Sequence, residues 1–202
     1  NFGAIMLQML GYEAYNLSGG ITAWKEAGYD VVDGPIAFSL EERLDIYLTE
    51  ELPAGWGNVS VDDFALELME TEPVIIDVRT EGEWDSDGYI EGATFVSVKT
   101  IAQNLALLPA DLDTPIVVYC KAGTRGQFAM ITLQVMGYSD VRNLSGGITA
   151  WKDAGYEVGD TPFAEMEFPV GDGPMVEAAL VAELDDFLTN YIPGGWGQVS
   201  VD

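Results

Sequence analysis

Residues 16–31, NLSGGITAWKEAGYDV, and residues 143–158, NLSGGITAWKDAGYEV, agree at 14 of 16 positions, so one unit occurs more than once in this chain. The match extends upstream, where FGAIMLQMLGY at 2–12 aligns with FAMITLQVMGY at 128–138. A second pair, PAGWGNVSVD at 53–62 and PGGWGQVSVD at 193–202, follows two acidic amphipathic stretches, LEERLDIYLTEEL and LVAELDDFLTNYI. The first pair is spaced by 127 residues and the second by 140, and the extra residues fall in the Pro/Gly-rich stretch GDTPFAEMEFPVGDGP. A fold for this chain must therefore be a small unit that can be repeated.

These matches divide the chain into five parts. Residues 1–32 are expected to be the C-terminal part of a preceding copy, and 33–55 a linker with an acidic amphipathic helix. Residues 56–158 form a complete copy. Residues 159–178 read as a Pro/Gly-rich linker, and 179–202 as the helix and first strand of a following copy. On this reading the chain is a window on a longer tandem polypeptide, and completion of the end pieces by neighbouring molecules is the alternative.

Inside the complete copy, short β-branched runs alternate with segments of helical periodicity, which predicts a parallel sheet covered on both faces. The strands are expected at Val59–Val61, Val74–Val78, Thr94–Val98, Ile116–Cys120 and Val141–Leu144. DDFALELME, TIAQNLALL and GQFAMITLQVM are expected to be helices between them. The fold class is α/β, a small doubly wound five-stranded parallel sheet in tandem repeats.

Charge and the histidine count narrow the chemistry. With 34 acidic and 8 basic residues the net charge is −26, a field that repels nucleic acid and anionic membranes. No apolar run approaches the ~20 residues that span a bilayer, so membrane insertion is not expected. Such acidity suits a hydrated carboxylate shell and by itself leaves the compartment open, but acidic tandem modules of this kind resemble those of secreted or envelope-attached bacterial proteins, which implies an extracytoplasmic setting, secreted or in the cell envelope. The chain has no histidine, which removes Ser-His-Asp triads, Cys-His dyads and His-ligated zinc together. Neither a metal nor another cofactor is expected.

The single cysteine carries what remains. Pro115–Tyr119 reads as a buried strand ending at Cys120, followed by Lys121, Ala122, Gly123, Thr124 and Arg125 and then an apolar helix. In open parallel sheets the carboxyl ends of the strands form the ligand crevice, and a loop entering a helix aims backbone N–H groups into it. Such a loop should bind anions. A thiolate is an anion, so the same amides and the helix dipole are expected to activate Cys120 without histidine. Two of the eight basic residues, Lys121 and Arg125, fall within five positions of Cys120, a local inversion of charge that argues for a site. The bland alternative is a buried strand-end thiol.

The runs PVIIDVRTEGEW (73–84), GYIEGA (88–93), VVYCKAGTR (117–125) and NLSGGITAW (143–151) resemble the rhodanese family over nearly all of residues 58–158. The resemblance implies a sulfurtransferase in which Cys120 takes sulfane sulfur from an anionic donor such as thiosulfate, holds it as a persulfide, and passes it to a thiol or cyanide. Lys121 and Arg125 would attract the donor, and Lys121 to Arg125 would supply the N–H cradle. Asp77 and Arg79 would brace the crevice. Tyr89 stands where many relatives carry histidine. The pairs Gly19-Gly20 and Gly146-Gly147, with Trp24 and Trp151, read as close packing and a helix start.

Two further readings remain open. One is a structural or binding array in which the domains serve as spacers, with neighbouring copies, a homo-oligomer or a filament as partners. The other is a phosphatase or arsenate-type enzyme of the same fold, which the six-residue loop disfavours. Asn16, Asn58 and Asn143 open N-x-S triplets and are given no role. The stretches Leu40–Leu52 and Leu180–Ile192 are expected to pack on an adjacent domain.

Overall fold

The computed structural model describes residues 39–192, together with Thr22 and residues 26–28. The chain divides into two units, residues 1–36 and 37–202, and the elements that carry the fold lie in the second. The expected strand within 193–202, and nearly all of the expected tail at 1–32, lie outside the described residues.

Five strands form the sheet: β1 (Asn58–Val59), β2 (Val74–Asp77), β3 (Thr94–Phe95), β4 (Ile116–Tyr119) and β5 (Val141–Leu144). Their order is β1-β5-β4-β2-β3 and every neighbouring pair is parallel. Parallel pairing requires crossovers and two covered faces, which is why β4 reads as an unbroken apolar run and is wholly buried. Side chains alternate across it. Ile116 and Val118 enter one core with α4 (Thr124–Val135), α1 (Leu40–Ile46) and α6 (Ala178–Asp186). Val117 and Tyr119 enter the other, with α2 (Val61–Glu70), α3 (Glu81–Asp87) and α5 (Gly147–Asp153).

Local capping sets several boundaries and corrects three expectations. The first strand stops at Val59 because Ser60 turns out of the sheet to cap α2, its hydroxyl accepting from the Asp63 amide at 3.1 Å. The third stops at Phe95; the Val96 and Val98 amides still donate to Asp77 and Val78 carbonyls, but Val98–Thr100 is a 3₁₀ turn. TIAQNLALL is not one helix. It starts at the last residue of that 3₁₀ turn and holds another, Leu105–Leu107, which follows Asn104 at φ −107, ψ 45, whose side-chain amide donates to the Thr100 carbonyl at 2.8 Å. Its apolar spacing is satisfied nonetheless, because Ile101, Ala102 and Leu108 all reach the α4-side core.

Residues 159–178, expected to be a linker, run along this domain and are bonded to it. Gly159 makes an isolated antiparallel bridge with Tyr89. The Trp84 indole donates to the Thr161 carbonyl at 3.1 Å, and Gly171 donates to the Ala106 carbonyl at 2.8 Å. The cause is in the composition: Phe163 and Phe168 set their edges against the Trp84 ring at 6.1 and 5.7 Å, burying surface that a free linker would leave in water.

The two acidic helices also pack here, through Leu40 and Leu44 of one and the equivalent Leu180 and Leu184 of the other, and differ beyond them. α6 and the π-helical turn that continues it, Phe187–Tyr191, bury Leu180, Leu184 and Leu188 in the α4-side core. α1 runs on through Tyr47, buried, whose hydroxyl donates to Gln134 Oε1 at 2.8 Å. Leu48, at the position equivalent to Leu188, is 63% exposed against 0%.

Candidate active site

β4 delivers Cys120 to the carboxyl edge of the sheet, and the chain turns at once into α4. The turn needs Gly123, which caps α4 at φ 106, a backbone conformation that side chains oppose. Its amide points back at the sulfur: Gly123 N–H donates to Cys120 Sγ at 3.1 Å. Thr124 and Arg125, expected in the loop, form the first turn of α4, so the positive end of the helix dipole faces the thiol. Cys120 itself is 2% exposed and touches the α4-side core.

The loop is fixed from behind by α5. Ile148 and Thr149 donate their amides to the Cys120 and Lys121 carbonyls at 2.9 and 3.1 Å. This approach is possible only for glycine, because a Cβ on Gly147 would lie 2.2 Å from the Cys120 carbonyl oxygen. The Gly146-Gly147 pair thus serves close packing and a helix start, as its repetition suggests.

Both loop cations are paired, which corrects the expected inversion of charge. Arg125 makes a two-pronged bond to Glu83, with Nη1 and Nη2 each 2.6 Å from a carboxylate oxygen. Lys121 Nζ lies 3.1 Å from Asp87 Oδ2. Glu83 and Asp87 sit one turn apart on α3, a helix that the sequence argument did not place. The legible signal was Thr80-Glu81-Gly82-Glu83, a capping box in which Thr80 accepts from the Glu83 amide and Glu83 accepts from the Thr80 amide. One carboxylate therefore closes the N-terminus of α3 and holds Arg125. The Arg125 bond, aided by Thr80, drives the Glu83 pKa from 4.5 to about 2, while Glu83 raises that of Arg125.

Asp77 and Arg79 lie deeper, both 0% exposed. Arg79 binds both Asp77 oxygens, at 2.6 to 3.0 Å, and its Nη2 donates to the Gly88 carbonyl at 2.6 Å. Tyr119 donates to Asp77 Oδ2 at 2.9 Å and accepts from the Ile90 amide at 3.1 Å. Burial pushes the Tyr119 hydroxyl well above its usual range, and the bonded Asp77 keeps Arg79 charged against the cost of burial. This network ties the ends of β2 and β4 to α3 and the segment after it. Tyr89, in place of histidine, stacks on Trp84 with ring centroids 4.0 Å apart.

Among the described residues, no group of three or more Asp, Glu or Cys could hold a metal ion, and no helix is long and apolar enough to cross a membrane. Asn143 of the N-x-S triplets is 1% exposed, its side chain donating to Asn58 Oδ1 at 3.0 Å.

Residues 60–154 match the Rhodanese-like domain. A sulfurtransferase of Allochromatium vinosum is 33% identical over 101 residues, which are 50% of this chain and 92% of that protein. This chain belongs to the rhodanese-like family. The thiosulfate sulfurtransferase GlpE of Pseudomonas fluorescens is 36% identical over 90 residues, covering 45% of this chain and 80% of the relative. A probable adenylyltransferase/sulfurtransferase, MoeZ of Mycobacterium tuberculosis, is 40% identical over 79 residues, covering 38% of this chain but only 19% of that protein's length. At the level of family, the rhodanese-like domain is a sulfurtransferase.

Proposed function

We propose that the domain moves sulfane sulfur through a persulfide on Cys120. The observation that carries this is the Gly123 amide, 3.1 Å from Cys120 Sγ at the start of α4. Thiolates, not thiols, are the nucleophiles in such chemistry, and here backbone and helix do what histidine does elsewhere. The Cys120 thiolate attacks the outer sulfur of a donor such as thiosulfate; a new S–S bond forms, the old one breaks, and sulfite leaves with the electron pair. A thiolate or cyanide acceptor then attacks the outer sulfur of the persulfide and returns Cys120 as thiolate. No net oxidant is consumed.

In this reading Arg125, oriented by Glu83, and Lys121 line the mouth, and Asp77 and Arg79 hold the scaffold beneath it. The loop from Lys121 to Arg125 frames the bound anion. Incubation with thiosulfate should add the mass of one sulfur atom to the intact chain, and cyanide should remove it. Cys120→Ser should take up none. Failure of the unmodified chain to gain that mass at any pH would end the proposal.

The repeated segments at 16–31 and 143–158 support a parent polypeptide built of tandem copies, and the likeness of such acidic tandem modules to those of secreted or envelope-attached proteins supports an extracytoplasmic setting. Intact-mass measurement of the native polypeptide and cell fractionation test these two points.

A further inference from the structure

The helices that precede and follow the domain end in the same way. α1 and α6 each continue into a π-helical turn, Tyr47–Glu51 and Phe187–Tyr191, and each leaves it through an extended residue, Leu52 at φ −59, ψ 117 and Ile192 at φ −60, ψ 122. After Leu52 the chain enters β1 through Pro53 and three successive left-handed residues, Gly55, Trp56 and Gly57, the last so close to α4 that a Cβ would lie 2.6 Å from the Met130 sulfur. A tryptophan at φ 59 is strained, and its surroundings must hold it there. The residues that build this turn recur in the sequence after Ile192 as Pro193, Gly195, Trp196 and Gly197, outside the described residues.

Position for position, the last turns of the two helices cover opposite sides. Tyr47 is 3% exposed and its equivalent Phe187 37%, the reverse of Leu48 and Leu188. Tyr47 faces the domain that α1 leads into: its hydroxyl donates to Gln134 Oε1, and Arg43 beside it donates to the Gln134 carbonyl at 2.9 Å. Leu188 faces the domain that α6 follows. Glu183, in the place of Arg43, is also committed to that domain's side, accepting from the Leu40 amide at 2.8 Å. This leaves Phe187 partly open and Tyr191, one turn on, 66% exposed. Large aromatic side chains left on a surface favour a protein partner. We propose that Phe187 and Tyr191 are the docking face for the next copy of this domain, which sets the end of its own α4 against them as this copy sets Gln134 against Tyr47. The turn fixes the occupant, because a helix that ends alike and is followed by the same Pro-x-Gly-Trp-Gly residues delivers the next copy to the same side. Residues 159–178 are bonded to this domain, so no flexible connector intervenes and successive copies share one helix. The inference rests on the tandem reading.

The test continues the full chain after Asp202 with a second run of residues 63–158, since Asp62 and Asp202 are equivalent. Amide hydrogen exchange across Phe187–Tyr191 is compared with and without the added copy, and should slow about tenfold when it is present. Amide relaxation measured by NMR should show both copies tumbling as one body. Phe187→Asp and Tyr191→Asp should each cancel most of the slowing and let the copies tumble separately. Phe187→Tyr, which restores the hydroxyl that Tyr47 gives to Gln134, should preserve it. Exchange at Leu184 in the unextended variants shows whether α6 still holds its own domain, and if Phe187→Asp loosens it, Tyr191→Asp decides. Equal exchange in the two chains overturns the docking, as does slowing that survives both aspartates, which would come from chain continuity alone. A native polypeptide whose intact mass leaves no room for a further copy fails the tandem reading, and the extended chain still decides whether the face docks a copy.

Discussion

Two arginine–carboxylate pairs lie within one domain and do different work. Arg79 and Asp77 are both wholly buried, under α3, whereas Arg125 and Glu83 keep 14% and 22% of their side chains exposed at the rim of the loop. Each pair has nearly ideal two-pronged geometry. The difference is what surrounds them. The inner pair is saturated, with Gly88 and Tyr119 filling its remaining positions, so it can only hold the scaffold. The outer pair is closed by a carboxylate that water can reach, beside the thiol, so it can set where a cation stands. Identical chemistry becomes architecture when sealed and positioning when left ajar.

Breaking the inner pair should have the largest effect. Arg79→Met leaves Asp77 buried without its partner, and stability measured by urea unfolding should fall by about 3–5 kcal/mol. A fall below about 1 kcal/mol would erase the distinction between the pairs. Glu83→Ala opens the capping box and releases Arg125, with an expected loss of about 1–2 kcal/mol. Its signature is kinetic: sulfur loading of Cys120 should slow about ten- to a hundredfold as Arg125 leaves its position. Glu83→Gln should restore most of the stability, since the amide oxygen still closes the box, but less of the rate.

The outer pair also predicts a pH window. Because folding lowers the Glu83 pKa from 4.5 to about 2, its contribution is fully present above about 4.5 and is lost as pH falls through about 2. Acid unfolding of Glu83→Gln should lack that component, and coincident acid titrations of the two proteins would show that Arg125 holds nothing. The smallest effect is expected at Lys121, 55% exposed, where Lys121→Met should change stability by less than about 1 kcal/mol.

Much of this arrangement was legible in the residues. Unbroken β-branched runs marked β2 and β4 because strands buried on both faces have no polar alternation to lose. The strand–glycine–helix pattern located Cys120 for the same reason. What stayed hidden depends on partners distant in sequence. Glu83 and Asp87 looked like two more carboxylates in a chain of 34 acidic residues, and only the packing of α3 against the loop gives them their cations. TIAQNLALL carried helical spacing, but Asn104 turns its side chain onto the backbone and the core accepts the apolar residues without a helix. Residues 159–178 read as a linker because they are rich in glycine and proline, while Phe163 and Phe168 needed Trp84 to become an anchor.

The contact between Gly147 and the Cys120 carbonyl has a practical corollary for anyone who would transplant this chemistry. The six residues from Cys120 to Arg125 are not a portable cassette, since their backbone is shaped by a bare α-carbon more than twenty positions downstream, on another helix. A graft that copied the loop and allowed alanine at 147 would collide with the very peptide it meant to preserve.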